Sequence, residues 1–342
     1  MQAPDGTRED SSLDKDALST WWNERIGEHE TLHVRSFAGG QSNPTYWVHD
    51  GAKAYVLRKK PEGALLKSAH AVDREARVMK ALADTDVPVP TILAFEESSD
   101  ALGTPFFVME HLPGRIFWKV QLPTLQPEGR RAIYDELARV LARLHAVDPD
   151  AVGLGDYGRR EGYMARQVAR WTKQYEASKT DEVAPMETLI ARLPGLAVEQ
   201  ARTTLVHGDY RLDNLIFDGN DAKALALIDW ELSTLGHPLA DVAYVCMLYD
   251  VQLPRIGGLQ GVDFEASGIP SEDDFLQRYA SFGGEVKRSE FRVLKAFGLF
   301  RLAAIAQGVY KRSLQGNASG EGAGMFRAAV GHLAGVALGL LE

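Results

Sequence analysis

His207-Gly208-Asp209-Tyr210-Arg211-Leu212-Asp213-Asn214, followed fifteen residues after Asn214 by Asp229 in Ile228-Asp229-Trp230, holds the three side-chain oxygen groups that phosphoryl transfer from ATP requires. One carboxylate, Asp209, can orient an attacking hydroxyl and take its proton late, since a loose transition state asks little of the base early. The amide oxygen of Asn214 and the carboxylate of Asp229 are hard donors of the kind Mg2+ prefers, a cation that keeps several waters and phosphate oxygens around it. His207 reads as a buried scaffold residue bonded to loop backbone rather than a general base. Arg211 reads either as a counter-charge to Asp209 and Asp213 or as a phosphate contact.

These groups need elements to hold them. Thr204-Leu205-Val206 and Leu215-Ile216-Phe217 read as short buried strands, with Asp218-Gly219-Asn220-Asp221 as a turn into a strand at Ala224–Ile228. Asp209 and Asn214 then lie in a loop between strands, and Asp229 just past a strand end, as catalytic groups commonly do. Upstream, a polar stretch over residues 1–12 is expected to be disordered. A helix follows over Leu13–Ile26, then strands over Leu32–Phe37, Tyr46–Val48 and Tyr55–Leu57. A helix from Ser68 to about Ala83 precedes strands at Ile92–Glu96 and Pro105–Glu110. Beyond Pro113-Gly114 the pattern turns helical. Ile133, Leu137, Val140, Leu141 and Leu144 make an amphipathic stripe, and further helices fall near 239–250, 271–281, 288–312 and 324–341. The organisation is α+β: a tail (1–12), a small lobe (13–112) and a larger, mostly helical lobe (113–342).

H-G-D-x-x-x-x-N with I-D-W resembles the aminoglycoside phosphotransferase and choline kinase superfamily, which shares the protein-kinase fold. The resemblance runs from about Phe37 to the C-terminus. LVHGDYRLDNLIFD together with VLRKKPEGALLKSAHAVDRE is similar to one subgroup. Its members are the kinase-like domains that in some eukaryotes precede an acyl-CoA dehydrogenase domain, and free-standing bacterial relatives. The resemblance implies a bilobal kinase-like fold, ATP and Mg2+ as cofactors, and phosphorylation of a small-molecule hydroxyl, with a hydroxyacyl-CoA or hydroxy acid preferred. It also implies that Asp241, in Leu239-Ala240-Asp241, is structural and caps helix N–H groups. Gly208 stands where regulated protein kinases carry an arginine that reads activation-loop phosphorylation, and no A-P-E triplet follows Asp229, so a protein substrate loses support.

The small lobe carries the nucleotide candidates. Gly39, Gly40, Gln41, Ser42 and Asn43 lie between two strand-like segments, where adjacent glycines can bring N–H groups to phosphate oxygens. Taken alone, an ordinary hairpin turn fits them too. Glu75 shares a helix face with Val72, Met79 and Leu82, and a carboxylate on an apolar face needs a cation. In the resembling families a strand lysine or arginine pairs with such a glutamate and contacts the phosphates. By register this is Arg58, with Lys60, on the same side of the strand, as the alternative. Phe106–Leu112 matches the segment whose backbone meets adenine in similar enzymes, here at Glu110 and Leu112.

Composition narrows the partners. A formal net charge of −9 over 342 residues disfavours nucleic acid or a polybasic membrane contact, and Cys246 alone excludes an internal disulfide. The polar N-terminus has no secretory pattern, no run of about eighteen apolar residues appears, and a cytoplasmic protein without an obligate protein partner is expected. A helix expected over Tyr157–Lys173 carries Arg159, Arg160, Arg166, Arg170 and Lys173 against Glu161 alone. Arg166, Arg170 and Lys173 form one stripe beside Trp171 and Tyr175. It is expected to receive an anionic acceptor such as a CoA thioester through Arg166, Arg170 and Trp171, although a solvated face reads equally well. The competing functions are an antibiotic kinase of the same mechanism and a nucleotide-binding regulatory module without turnover.

Overall fold

The computed structural model describes residues 3–10, 12–37, 43–62, 71–98, 100–196, 198–253, 256–315 and 323–342. In chain order the elements are β1 (Thr7–Glu9), α1 (Lys15–Arg25), β2 (His33–Phe37), β3 (Thr45–His49), β4 (Ala54–Lys59), α2 (Val72–Leu82), β5 (Ile92–Glu96), β6 (Phe106–Glu110), α3 (Pro127–Ala146), α4 (Tyr163–Ser178), α5 (Ala184–Arg192), β7 (Thr204–Val206), β8 (Leu215–Phe217), β9 (Ala224–Leu227), β10 (Thr234–Gly236), α6 (Leu239–Cys246), α7 (Phe264–Ser267), α8 (Glu272–Ser281), α9 (Arg288–Leu314) and α10 (Ala323–Gly339). The chain divides into two compact units. One comprises Met1–Arg115 and Leu215–Leu232, the other Ile116–Asn214 and Ser233–Glu342.

The first unit is an antiparallel sheet ordered β1-β2-β3-β4-β6-β5. Alternation places Val34, Tyr46, Val48, Leu57, Phe106 and Val108 in one cluster with Leu18, Trp21 and Trp22 of α1. Asp14 caps α1 by accepting from the N–H groups of Asp16 and Ala17. Trp21 packs edge-on against Phe106 at 4.7 Å while its indole N–H donates to Glu96, so the ring is both buried and satisfied. The α2 helix packs against β5, β6 and a 3-10 turn at Trp230–Leu232.

Two features of this unit depart from expectation. Thr7–Glu9, expected within a disordered tail, pairs antiparallel with Arg35–Phe37, and the Arg35 guanidinium donates to the Thr7 hydroxyl and carbonyl. The β8–β9 hairpin, expected in the larger lobe, belongs here. Its turn is closed by Asp218 Oδ1, which accepts from the Asn220 and Asp221 N–H groups. Arg115 and Phe217 exchange backbone hydrogen bonds at 2.7 and 2.9 Å. This approach needs Gly114, where a Cβ would stand 2.4 Å from the Phe217 carbonyl oxygen. Ser68, the expected helix start, lies outside the described residues.

The second unit is mostly helical. Ile133, Leu137, Val140, Leu141 and Leu144 of α3 are buried as their spacing requires. The short β7–β10 pair is antiparallel. One described helix, α9, is long and apolar enough to cross a membrane. It is mostly buried against α4, α6 and α10, and its apolar residues surround it completely because neighbours do.

Candidate active site

In the first unit, the site is built on a buried carboxylate. Glu75 of α2 is 1% exposed. Its Oε2 lies 3.0 Å from Arg58 Nε in an ion pair off the hydrogen-bond axis, and its Oε1 accepts from Asn43 Nδ2 at 2.9 Å. Arg58 Nη2 reaches Asp229 Oδ1 at 2.7 Å. The structure thus pairs Arg58, rather than Lys60, with Glu75; Lys60 follows the end of β4, and the intervening Lys59 pairs with Glu62. Carboxylate oxygens of Glu75, Asp229 and Glu231 lie within 4.8 Å of one another. Burial, opposed by Arg58 and reinforced by the charges of Asp229 and Glu231, pushes the Glu75 carboxyl up to about 8.

Asp229 adopts φ +68°, a left-handed conformation that aspartate tolerates better than most residues and that clusters at functional sites. Gly39, Gly40, Gln41 and Ser42 lie outside the described residues. Asn43, the next residue, is buried and donates to Glu75 of α2. Glu110 spends its N–H on the Thr91 carbonyl and a side-chain oxygen on the Thr91 N–H, so that N–H is not free for a base. Leu112 follows the end of β6 and is half-buried.

In the second unit, the H-G-D segment is fixed from below by Asp241. Its carboxylate accepts from the N–H of His207 at 2.7 Å and of Gly208 at 2.9 Å. Expected to cap its own helix, Asp241 caps this loop instead, and α6 has no side-chain cap. His207 is fully buried and its Nδ1 accepts from the Asp209 N–H at 3.2 Å, a scaffold role. Gly208 adopts φ +81°, which a side chain such as arginine would strain. Arg211 stands 3.3 Å from both Asp209 and Asp213. Asn214 donates from Nδ2 to the Asp209 carbonyl at 2.8 Å, which leaves its Oδ1 for a cation.

Burial works against the charge of Asp209. Arg211 first, then Arg301, His207 and the Tyr244 hydroxyl nonetheless hold its carboxyl below the usual range. Arg301 and Tyr244 had no place in the motif. Arg301 is a lone charge in the apolar run Ala296–Ala306, and that isolation was the available signal. Glu231, two residues past Asp229, was likewise passed over.

The basic segment differs from expectation. Its helix, α4, begins at Tyr163 after Gly162 (φ +63°), not at Tyr157. Arg159 and Arg160 are therefore outside it, and Arg160 pairs with Asp150, so its surroundings are not free of acid. Arg166 donates to the Arg159 carbonyl and Arg170 is exposed. Trp171, expected to meet the acceptor, is only 5% exposed. Two guanidinium groups lie over its ring, Arg170 at 5.5 Å and Arg301 at 5.1 Å from the centroid.

A model of the phosphotransferase enzyme family (APH) matches residues 33–279. Acyl-CoA dehydrogenase family member 10 of Mus musculus is 47% identical over 316 residues, covering 91% of this chain and 30% of that protein. The chain spans 30–43% of the length of the curated relatives it matches. A crystal structure from Ralstonia eutropha JMP134, described as a candidate aminoglycoside phosphotransferase, is 40% identical with a TM-score of 0.87, covering 96% of this chain and 98% of that one. The choline kinase of Cryptosporidium parvum Iowa II, 13% identical over 96% of each chain, shares the fold at a TM-score of 0.64.

Proposed function

We propose an acceptor and a division of labour for this chain, which belongs to the phosphotransferase enzyme family and is a small-molecule phosphotransferase. The donor is ATP and the acceptor is a hydroxyl of a hydroxyacyl-CoA or hydroxy acid. Asp209 orients that hydroxyl and accepts its proton late. Asn214, through its free Oδ1, and Asp229 hold Mg2+, which would neutralise charge on the phosphate oxygens. The donor chemistry fits, since hard oxygens gather at Asp229, Glu75 and Glu231. Arg58 is the cation held ready for phosphate, oriented by Glu75. The segment through Asn43 covers the nucleotide, and Leu112 meets its base.

The acceptor class is carried by one observation. This stretch is 47% identical to part of a protein named for acyl-CoA dehydrogenation, of which it spans only 30%. Charge supports the same class, because Arg166, Arg170 and Arg301 of α4 and α9 gather around Tyr163 and Arg301 also faces Asp209, an environment that favours anions over polyamines. The description of the 40% identical structure favours an antibiotic acceptor instead.

Mg2+-dependent ADP release, measured across 3- and 4-hydroxyacyl-CoAs, free hydroxy acids, choline, sugars and kanamycin-like amines, separates these readings. Hydroxyacyl-CoAs are expected to stimulate turnover and the amines to leave it at the basal rate. Stimulation by the amines alone overturns the acceptor class. Tight ATP binding with no stimulation by any acceptor favours a regulatory module.

A further inference from the structure

We propose that Arg301, in the middle of α9, is a positioning residue for Asp209, clamping the peptide that carries it and stacking on the tyrosine that meets its carboxylate. The inference rests on the reading of Asp209 as the acceptor-orienting group.

The Gly208–Asp209 peptide is held at both ends. Arg301 Nη1 donates to the Gly208 carbonyl at 2.5 Å, and the Asp209 N–H donates to His207 Nδ1 at 3.2 Å. The preceding N–H groups are taken by Asp241. With Gly208 at φ +81°, where the backbone has its greatest freedom, these bonds remove the rotation that would swing Asp209. The side chain is addressed separately. The Arg301 guanidinium carbon lies 4.8 Å from the Tyr244 ring centroid, and the Tyr244 hydroxyl is within hydrogen-bonding reach of the Asp209 carboxylate. The same guanidinium also lies 5.1 Å from the Trp171 ring centroid, and Arg170 lies 5.5 Å from that centroid. Arg170, Trp171, Arg301 and Tyr244 thus alternate cation and ring from the exposed face of α4 to the catalytic carboxylate.

Stability does not explain this residue. Arg301 is 7% exposed, its Nε has no hydrogen-bond partner, and among the described residues no carboxylate forms an ion pair with it. Burying a guanidinium on those terms costs more than an apolar side chain of similar length would, and such replacements are often neutral or stabilising. A group kept at that cost is explained by the geometry it holds.

The test compares Arg301→Met, Arg301→Lys, Tyr244→Phe and Asp209→Ala, reading basal Mg2+-dependent ATP hydrolysis, which needs no known acceptor, and acceptor turnover where the panel supplies one. Arg301→Met is expected to lower kcat by about 10- to 100-fold, the scale of a misplaced catalytic group, with the KM for ATP and for acceptor within threefold and the melting temperature near that of the parent. Arg301→Lys is expected to recover part of the loss by restoring the bond to Gly208. Tyr244→Phe keeps the ring and removes the hydroxyl, and is expected to lower kcat several-fold on its own. If Arg301→Met does not fold, Tyr244→Phe decides. An unchanged kcat in either folded variant overturns the inference, as does a rise in acceptor KM alone, which would make Arg301 a binding contact. Asp209→Ala separates the two claims. Retained turnover there sinks the reading of Asp209, whereas an inactive Asp209→Ala beside a normal Arg301→Met sinks the positioning role only.

Discussion

Two carboxylates of this molecule sit among arginines and other acids in opposite proportions, and their ionisation moves in opposite directions. Glu75 shares its surroundings with Asp229 and Glu231 and one cation, Arg58; burial and its neighbours raise its carboxyl to about 8. Asp209 faces Arg211 and Arg301 with His207 behind them, and its carboxyl lies below the usual range in spite of burial. Residue type therefore predicts little about charge in either place. The count of cations to acids predicts more. The first region has an excess of negative oxygen that a cation would relieve, and the second keeps one carboxylate charged at every working pH.

The comparison breaks most sharply at Asp209. Asp209→Ala is expected to lower phosphoryl transfer by about 10²–10⁴-fold, the range for losing a positioned acid–base group, while nucleotide affinity stays within about threefold. Equilibrium binding beside steady-state turnover checks both halves. Retained turnover would place the acceptor-orienting group elsewhere.

Asp229 should respond in the other currency. Its φ of +68° makes Asp229→Asn the informative change, because asparagine tolerates that backbone and alanine does not. With the carboxylate gone, ATP affinity in the presence of Mg2+ is expected to fall about tenfold or more, the loss typical when a metal site is impaired, and ATP affinity in EDTA is expected to hold. Calorimetric titration with and without Mg2+ measures the difference. Equal losses in both conditions would mean that Asp229 serves Arg58 rather than a metal.

What was legible in the sequence follows the same division between local and non-local information. The placement of His207, Asp209, Asn214 and Asp229 could be read because it depends on a short spacing and on strand ends that hydrophobic runs mark. Glu75 could be read because one acid stood on an otherwise apolar helix face, and Arg58 because strand alternation aims it. Arg301 was legible only as an isolated charge, not as a partner of Asp209. Its helix is apolar all round, so no face pointed it anywhere, and its partner Gly208 is 93 residues away. The start of α4 falls at Tyr163 rather than Tyr157 because Gly162, in a left-handed conformation, breaks the chain before it. Thr7–Glu9 pairs through backbone bonds supplemented by Arg35, and three polar residues at a sheet edge leave no alternation to detect. Leu215–Leu232 reads as a continuation of the catalytic loop, and its bonds to Arg115, Pro88 and Arg58 show which unit it joins.

A test of another kind reads the electrostatic contrast directly, through stability rather than through activity or binding. A carboxyl whose folded-state value is raised from 4.5 to about 8 keeps in the folded chain a proton that the unfolded chain has already released. Its stabilising contribution is complete below about pH 4.5 and is lost as pH rises through about 8, with a slope of up to about 1.4 kcal/mol per unit. Glu75→Gln mimics the neutral carboxyl, retains one oxygen for either Asn43 Nδ2 or Arg58, and has nothing to titrate. The variant and the parent should therefore melt together near pH 5, and the variant should gain on the parent steadily up to pH 8. Asp209→Asn supplies the opposite case. A lowered carboxyl contributes stability above its unfolded value and loses it only as pH falls through the folded one, so the gap between that variant and the parent should stay flat from pH 5 to 8. Thermal denaturation of the three proteins at fixed ionic strength reads both slopes. A flat gap for Glu75→Gln would mean that Arg58 alone keeps Glu75 ionised and that the crowding of Asp229 and Glu231 counts for less than their separation suggests.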